Sequence, residues 1–381
     1  MIIAVDEAIP YWQAAFAPLG EIKLFSGRAL RRTDLREVDA LIVRAVTRVD
    51  ADLLDGTPVR FAGTTSIGMD HLDLDYLERR GIRITNAAGS NANSVAEYVI
   101  AALLVLAERK GWDLSGKSIG IIGAGHVGSL VEKKASALGM QVRLCDPPLR
   151  ESTGDPRYGF IDSVIDADIL SLHVPLTTDG PYPTRHMIDH RSLQRLTPRQ
   201  FLVNSSRGAV VSGQDLKRTL GEGRVGGTVL DVWEGEPEID YALLDLADLG
   251  TPHIAGFSLD GKVCGTAMVR EELCRFLGIQ QVWDSGKMFP PPQRLRPQTG
   301  RRTQDAIRSV VLQAYDIRRD DANLRALKGN SGDAAAQGFD RLRTEYPLRR
   351  EFSHYIVELA ADTWLAPALE ALGFAVDTSM R

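Results

Sequence analysis

The stretch Gly123-Ala124-Gly125-His126-Val127-Gly128 constrains the fold of this chain more than any other. It follows the apolar run Ser118–Ile122 and opens an amphipathic stretch over Val127–Leu138, the order strand, tight turn, helix. In a G-x-G-x-x-G turn the first glycine permits the bend and the second lets the backbone approach a pyrophosphate. The third lets the helix pack closely on the strand. The helix N-terminus then offers unpaired N–H groups and its dipole to an anion. About 20 residues further on, Asp146 stands at the end of the expected strand Gln141–Cys145. An acid there accepts hydrogen bonds from a ribose and repels a 2′-phosphate. Pro147 and Pro148 follow directly, which leaves no adjacent Arg for that phosphate. The pattern predicts NAD as cofactor, at Gly123, Gly125, His126, Val127, Gly128 and Asp146.

Around this motif, short apolar runs alternate with amphipathic stretches. Ile2–Val5, Ala40–Val43, Val59–Ala62 and Ile82–Thr85 read as strands, with a helix over Leu72–Arg79. A longer helix is expected at Ser94–Arg109, capped by Asn93. A second series gives strands at Ser118–Ile122, Gln141–Cys145, Asp168–Leu172, Gln200–Asn204, Thr228–Val232 and Pro252–Ala255, several of them continuous apolar runs of the buried parallel type. Helices sit between them near Asp189–Leu196 and Gly213–Leu220, and another spans Lys262–Trp283. Phe289–Gly300, rich in proline and polar residues, reads as a linker. Beyond it come helices at Thr303–Tyr315 and Ala322–Leu327 and an ambiguous segment at His354–Leu359. The fold class expected is α/β: two Rossmann-like doubly wound parallel-sheet domains with a cleft, plus a smaller α+β C-terminal domain. The domains would be 1–92 with 256–286, then 93–255, then 287–381.

Composition removes several classes of function. The net charge of −5 over 381 residues offers no basic face for nucleic acid. Three cysteines suit a reducing compartment rather than a disulfide framework. The greasiest stretch, Val95–Ala107, is short of the roughly 20 residues that span a bilayer, and Met1–Glu7 has no signal-peptide character. A cytoplasmic protein with no membrane partner is expected. His186 and His190 stand four apart but have no further ligand cluster nearby, so no metal site is expected.

Three residues follow strands of the second series: Arg207 in Asn204-Ser205-Ser206-Arg207-Gly208, Glu236 in the segment from Asp231 to Pro237, and His253 in Thr251-Pro252-His253-Ile254-Ala255-Gly256. Residues beyond the carboxyl ends of parallel strands converge on the ligand crevice. Hydride removal from a hydroxy acid needs a group for each of three tasks. An Arg grips the carboxylate, a His takes the hydroxyl proton, and a carboxylate orients the imidazole and favours its protonated form.

These segments, with Ser94-Val95-Ala96-Glu97 and Leu172-His173-Val174-Pro175-Leu176, resemble the D-isomer-specific 2-hydroxy acid dehydrogenases over roughly the first 285 residues. The resemblance implies Arg207 as substrate binder, His253 as acid/base and Glu236 as its partner. It also implies that Val174, Ser205, Ser206, Asp231 and Gly256 line the cofactor. Val43-Arg44-Ala45-Val46-Thr47, Cys145-Asp146-Pro147-Pro148 and Phe257-Ser258-Leu259 resemble a subgroup of that family. So does the tail from Tyr315-Asp316 to Arg350-Glu351. Its members act on a small phosphorylated hydroxy acid and dimerise through an additional C-terminal domain, so a homodimer is implied here. Arg44, at a strand end, is the expected phosphate contact, with Ala45, Ser66 and Phe257 also at the substrate. The chain departs from the subgroup where Ala45, Met69 and Phe257 replace hydroxyl-bearing residues. Two other readings stand beside this one: a dehydrogenase of glycerate or phosphoglycerate type, and a non-catalytic NAD(H)-sensing scaffold.

Overall fold

A computed structural model of the chain describes residues 1–298, 302–359 and 363–379. The chain divides into two compact units, one formed by 1–91 and 258–291, the other by 92–257 and 292–381.

The first unit is a five-stranded parallel sheet in the order β2-β1-β3-β4-β5. Its strands are β1 (Ile2–Asp6), β2 (Glu21–Phe25), β3 (Ala40–Val43), β4 (Phe61–Thr64) and β5 (Arg83–Asn86). The central β3 and β4 are fully buried, as a sheet covered on both faces requires. Strand β2 has no counterpart among the expected strands. Glu-Ile-Lys-Leu-Phe lies at the sheet edge, half-exposed, and so carries no continuous apolar run. One face is covered by the helix Leu259–Leu277, whose Val269, Leu273 and Cys274 pack with Ile3, Ile42 and Phe61. Gly63 makes that contact possible, since a Cβ there would sit 2.5 Å from a Val269 methyl.

The second unit carries a seven-stranded parallel sheet, ordered β12-β11-β10-β9-β6-β7-β8. The strands are β6 (Ser118–Ile122), β7 (Gln141–Cys145), β8 (Tyr158–Gly159), β9 (Ile169–Leu172), β10 (Phe201–Asn204), β11 (Gly227–Leu230) and β12 (Leu249–Gly250). This is the doubly wound dinucleotide-binding order, and its direction reverses between β6 and β9. The helices Ala92–Lys110 and His126–Ala137 pack on each other. Two expectations are corrected here. Asn93 lies inside the first helix rather than capping it, and its amide bonds Glu97 and Glu351. Pro252–Ala255 is a loop, because its backbone N–H groups are drawn to a buried carboxylate instead of a neighbouring strand.

The C-terminal segment forms a three-stranded parallel sheet of β13 (Gln293–Leu295), β14 (Tyr355–Glu358) and β15 (Ala375–Asp377). The expected linker Phe289–Gly300 therefore contains a strand, with Leu295 buried; its last two residues, Thr299 and Gly300, lie outside the described residues. Helices Thr303–Ala314, Ile317–Arg325 and Gly332–Thr344 separate β13 from β14, and Ala366–Leu372 precedes β15. The third of these has no clear sequence signal, since its buried face is only Ala335, Gly338 and Phe339.

A buried charge cluster joins this segment to the seven-stranded body. Glu97 accepts hydrogen bonds from Asn93 Nδ2 and from the Phe352 N–H, both at 2.9 Å. Lys134 lies 4.0 Å from Glu97, donates to the Leu372 carbonyl and stands over the Phe352 ring. Glu351 receives Asn93 Nδ2 and the Ser94 hydroxyl. Burial first, and the neighbouring Glu351 second, push the Glu97 carboxyl up to about 8, against the pull of Lys134, Arg349 and the Phe352 N–H. In the unfolded chain the same carboxyl ionises near 4.5. Its contribution to stability is thus full below that pH and is lost as pH rises towards about 8. Urea unfolding followed across this window should show a fall in stability that Glu97→Gln flattens; an unchanged slope would place the carboxyl's ionisation elsewhere.

Candidate active site

The glycine turn occupies the reversal point of the seven-stranded sheet. Gly123 follows β6 at φ +90°, a conformation that glycine adopts without strain. A Cβ on it would also strike the carbonyl of His173, at 2.6 Å. Gly128 packs so tightly that a Cβ would lie 2.0 Å from the Gly123 oxygen. Gly125, by contrast, is exposed and has nothing within 4 Å of its missing Cβ. The first and third glycines close the turn, while the second leaves an open face at the helix N-terminus for an anion. His126 beside it is exposed and Val127 half-buried.

Asp146 accepts from the Ala124 N–H with one oxygen and from the Leu149 N–H with the other, at 2.8 and 3.0 Å. Its carboxylate is thus fixed at the end of β7, directly behind the turn. Arg143 is engaged with Asp166 and the Ser163 carbonyl, and Arg150 with the carbonyls of Pro156 and Tyr158. Neither guanidinium is held ready for a 2′-phosphate.

Across the reversal, His173 bonds Ser171 through Nε2, and burial drives its imidazole down to about 3. Its Nδ1 is buried without a partner, as is the Ser205 hydroxyl after β10. Val174 follows His173, and its side chain lies against the turn at Gly123. An open glycine face, a fixed acid and two orphaned polar atoms fit a dinucleotide, and the residues present have the chemistry to hold one. Ser206 is turned inward, donating to Asn204 Oδ1 through N–H and hydroxyl.

The three catalytic candidates lie on adjoining loops of the same unit. Arg207 donates to the Ser206 carbonyl at 2.8 Å. Gly208 beside it has no room for a side chain, because a Cβ would lie 2.1 Å from the Trp233 backbone. That contact brings the Arg207 loop against the one carrying Glu236. Glu236 Oε1 accepts from the Trp233 N–H, and Oε2 faces His253 Nδ1, each at 2.7 Å. The imidazole is therefore oriented through Nδ1, which leaves Nε2 for chemistry. Burial alone would raise the Glu236 carboxyl. The hydrogen bond and charge of His253, the Trp233 N–H and the charge of Arg343 outweigh it and hold the group below its ordinary value.

Asp231 holds this loop. It is 1% exposed, accepts from Ile254 N–H, Ala255 N–H and the Thr251 hydroxyl at 2.8, 2.9 and 2.6 Å, and takes the His253 N–H on its carbonyl. Tyr98 bonds the same Thr251 hydroxyl. His253 itself adopts φ +57°, unusual for a residue with a Cβ. Gly256 ends the loop half-buried, and Phe257 packs edge-on against Tyr346 of the C-terminal segment, centroids 5.7 Å apart.

His186 and His190 have separate partners: His186 pairs with Glu234 at 2.6 Å, and His190 meets Arg218 and Gln194. Among the described residues no cluster could hold a metal ion, and no helix is long and apolar enough to cross a membrane. In the first unit, Arg44 donates its Nε to the buried Asp6 at 2.9 Å, and the Ala45 N–H donates to the Ser66 hydroxyl at 2.9 Å.

Residues 99–255 match the D-isomer specific 2-hydroxyacid dehydrogenase NAD binding domain, and residues 290–373 match a domain of unknown function. The chain is 43% identical to an erythronate-4-phosphate dehydrogenase of Chromohalobacter salexigens, with all of both chains covered. It is 42% identical to that of Proteus mirabilis, over 98% of this chain and 99% of the other. The chain belongs to the D-isomer specific 2-hydroxyacid dehydrogenase family. Among solved structures, the TT0316 protein of Thermus thermophilus shares 26% identity at TM-score 0.61, covering 74% of this chain and 98% of its own. D-lactate dehydrogenase of Aquifex aeolicus, solved with NAD and lactic acid, shares the fold at TM-score 0.58 and 24% identity, over 72% of this chain and 95% of its own. NAD is the cofactor of this family member.

The two glycines make separable demands. Gly125→Ala should fold as stably as the parent yet bind NADH about tenfold more weakly, a loss of ~1.4 kcal/mol. Gly128→Ala should lower the melting temperature as well. Paired fluorescence titration and thermal unfolding would reveal it if both variants behaved alike.

Proposed function

We propose that this chain catalyses the NAD-dependent oxidation of 4-phospho-D-erythronate to 2-oxo-3-hydroxy-4-phosphobutanoate, a step that serves pyridoxal phosphate biosynthesis. The observation that carries the chemistry is the 2.7 Å pairing of Glu236 Oε2 with His253 Nδ1 beside a dinucleotide-binding turn. The identity of 42–43% to erythronate-4-phosphate dehydrogenases over essentially the whole length supports the substrate. A family member without acid/base work to do would have no need to orient an imidazole in this way, which argues against a sensing scaffold.

Arg207 binds the substrate carboxylate, for which a guanidinium fork is the matching donor. His253 accepts the proton of the 2-hydroxyl at Nε2, and Glu236 stabilises the imidazolium that results. NAD, bound at the Gly123–Gly128 turn with Asp146, Val174, Ser205, Ser206, Asp231 and Gly256 around it, supplies the hydride acceptor. Hydride leaves C2 as the proton leaves its oxygen, so two electrons pass and a 2-oxo acid remains. Arg44, Ala45, Ser66 and Phe257 are assigned to substrate binding, with 1–92 and 256–286 as the substrate domain and 93–255 as the NAD domain. Arg44 contributes the charge for the phosphate; with Nε held by Asp6, its terminal nitrogens are the ones to offer. The segment 287–381 is assigned to dimerisation of a cytoplasmic enzyme.

His253→Ala should lower turnover by a factor on the order of 10²–10⁴ while leaving the NADH dissociation constant near that of the parent. Retained turnover would remove His253 from the mechanism.

Substrate identity is tested by NADH consumption with 2-oxo-3-hydroxy-4-phosphobutanoate, 3-phosphohydroxypyruvate and hydroxypyruvate. The four-carbon phosphate should be preferred, and Arg44→Ala should raise KM for it more than for hydroxypyruvate. Preference for one of the other acids would keep the mechanism and replace the substrate.

A further inference from the structure

The C-terminal segment, matched only to a domain of unknown function, holds the backbone of the loop that carries His253 at both ends. The first end is Gly250, the last residue of β12. That strand is an outer edge of the seven-stranded sheet, so its outward N–H groups have no neighbouring strand to donate to. The buried Gly250 N–H donates instead to Asp321 Oδ1, at 2.8 Å, on the helix Ile317–Arg325. Arg325 of the same helix steadies that carboxylate. Its Nε donates to Asp321 Oδ1 at 2.9 Å, and its terminal nitrogens reach the Leu244 and Ala247 carbonyls at 2.9 and 2.8 Å. Gly250 has no slack, since a Cβ on it would lie 2.2 Å from a Leu244 methyl and 2.9 Å from the Trp233 ring.

The second end is Ala255, two residues beyond His253. Its N–H is taken by Asp231 and its carbonyl by Arg349, at 2.9 and 3.0 Å. Arg349 is buried, and its other terminal nitrogen donates to the Ser94 carbonyl at 2.7 Å. A charged donor makes a stronger hydrogen bond to a carbonyl than a neutral one does. The Tyr315 ring, its centre 3.7 Å from the guanidinium, adds a cation–π contact. Tyr315 and Tyr346 both donate to Asp320, and the Tyr346 ring meets Phe257 where the chain leaves the loop.

Between these anchors His253 stands at φ +57°. Such a backbone conformation persists only where its surroundings over-determine it. Asp231 fixes the loop from the sheet side, and Asp321 and Arg349 fix it from the C-terminal side.

We propose that Asp321 and Arg349 are positioning residues of the active site, through which the C-terminal segment aims His253 at the substrate hydroxyl. The segment is then part of the catalytic scaffold of its own subunit, in addition to its assigned place in dimerisation. This rests on the assignment of His253 as the acid/base.

Single-turnover NADH oxidation tests it, with full-length enzyme in excess over NADH. The oxidant is the four-carbon phosphate, or whichever 2-oxo acid of the panel the parent prefers, at saturation. The amplitude counts folded, cofactor-loaded sites, and the first-order rate constant reports the chemistry at each. Arg349→Met and Asp321→Leu should each lower the rate constant by roughly ten- to a hundredfold, the scale of a displacement near 1 Å. Asp321→Asn, which keeps an oxygen for the Gly250 N–H, should return it close to the parental value. A merely structural role gives another pattern, in which the amplitude falls with the number of folded molecules and the rate constant stays. A parental rate constant in either folded variant overturns the proposal, as does an Asp321→Asn enzyme as slow as Asp321→Leu. If one variant yields no folded enzyme, the rate constant of the other decides. A parent that oxidises NADH with no 2-oxo acid, or a His253→Ala enzyme that retains turnover, sinks the underlying activity or acid/base assignment instead, and both are read before any Asp321 or Arg349 variant.

Discussion

The buried carboxylate of Asp231 is the constraint on which the active site depends. Two N–H groups, one hydroxyl and the His253 N–H all converge on this residue. Burial pushes its carboxyl up, while His253, Thr251 and the loop N–H groups pull the other way. A charge so deep survives only when its lone pairs are filled. The loop is the means of filling them, and His253 is carried in it at a backbone angle that no strand would tolerate. Glu236 then needs to supply only the last element, a partner for Nδ1.

This arrangement explains where sequence reading succeeds and where it stops. The glycine turn is legible because each of its glycines answers a local demand, and β6 and β3 are legible because buried parallel strands are largely unbroken apolar runs. Pro252–Ala255 has the same apolar look, yet it is a loop. What decides its conformation is Asp231, some twenty residues earlier, and no periodicity reports a carboxylate folded in from another loop. Strand β13 is hidden for the opposite reason. A three-residue strand between prolines has too little apolar content to announce itself.

The candidate site divides along the same line. Arg207, Glu236 and His253 follow strands and so advertise themselves. Arg343 and Arg349 sit in an arginine-rich tail whose alternation with acids reads as a solvated surface. Their contacts reach back across about ninety residues of chain, Arg349 to the Ala255 carbonyl and Arg343 to the Phe257 ring. Glu97 belongs to the same group: Ser94-Val95-Ala96-Glu97 is recognisable as a motif, but its ring of partners at Lys134, Glu351 and Phe352 is not.

The helix Leu259–Leu277 closes the core of a unit whose sheet lies entirely within the first 91 residues. On the ribosome, the strands made first must therefore wait, one apolar face open, until the chain has passed the whole seven-stranded body and reached Val269 and Leu273. Order of synthesis and completion of the core diverge here: the earliest strands are sealed by one of the later helices. Nascent chains stalled before residue 259 would expose that face, which makes this stretch of the gene the one where translation speed and chaperone access bear most on the yield of folded enzyme.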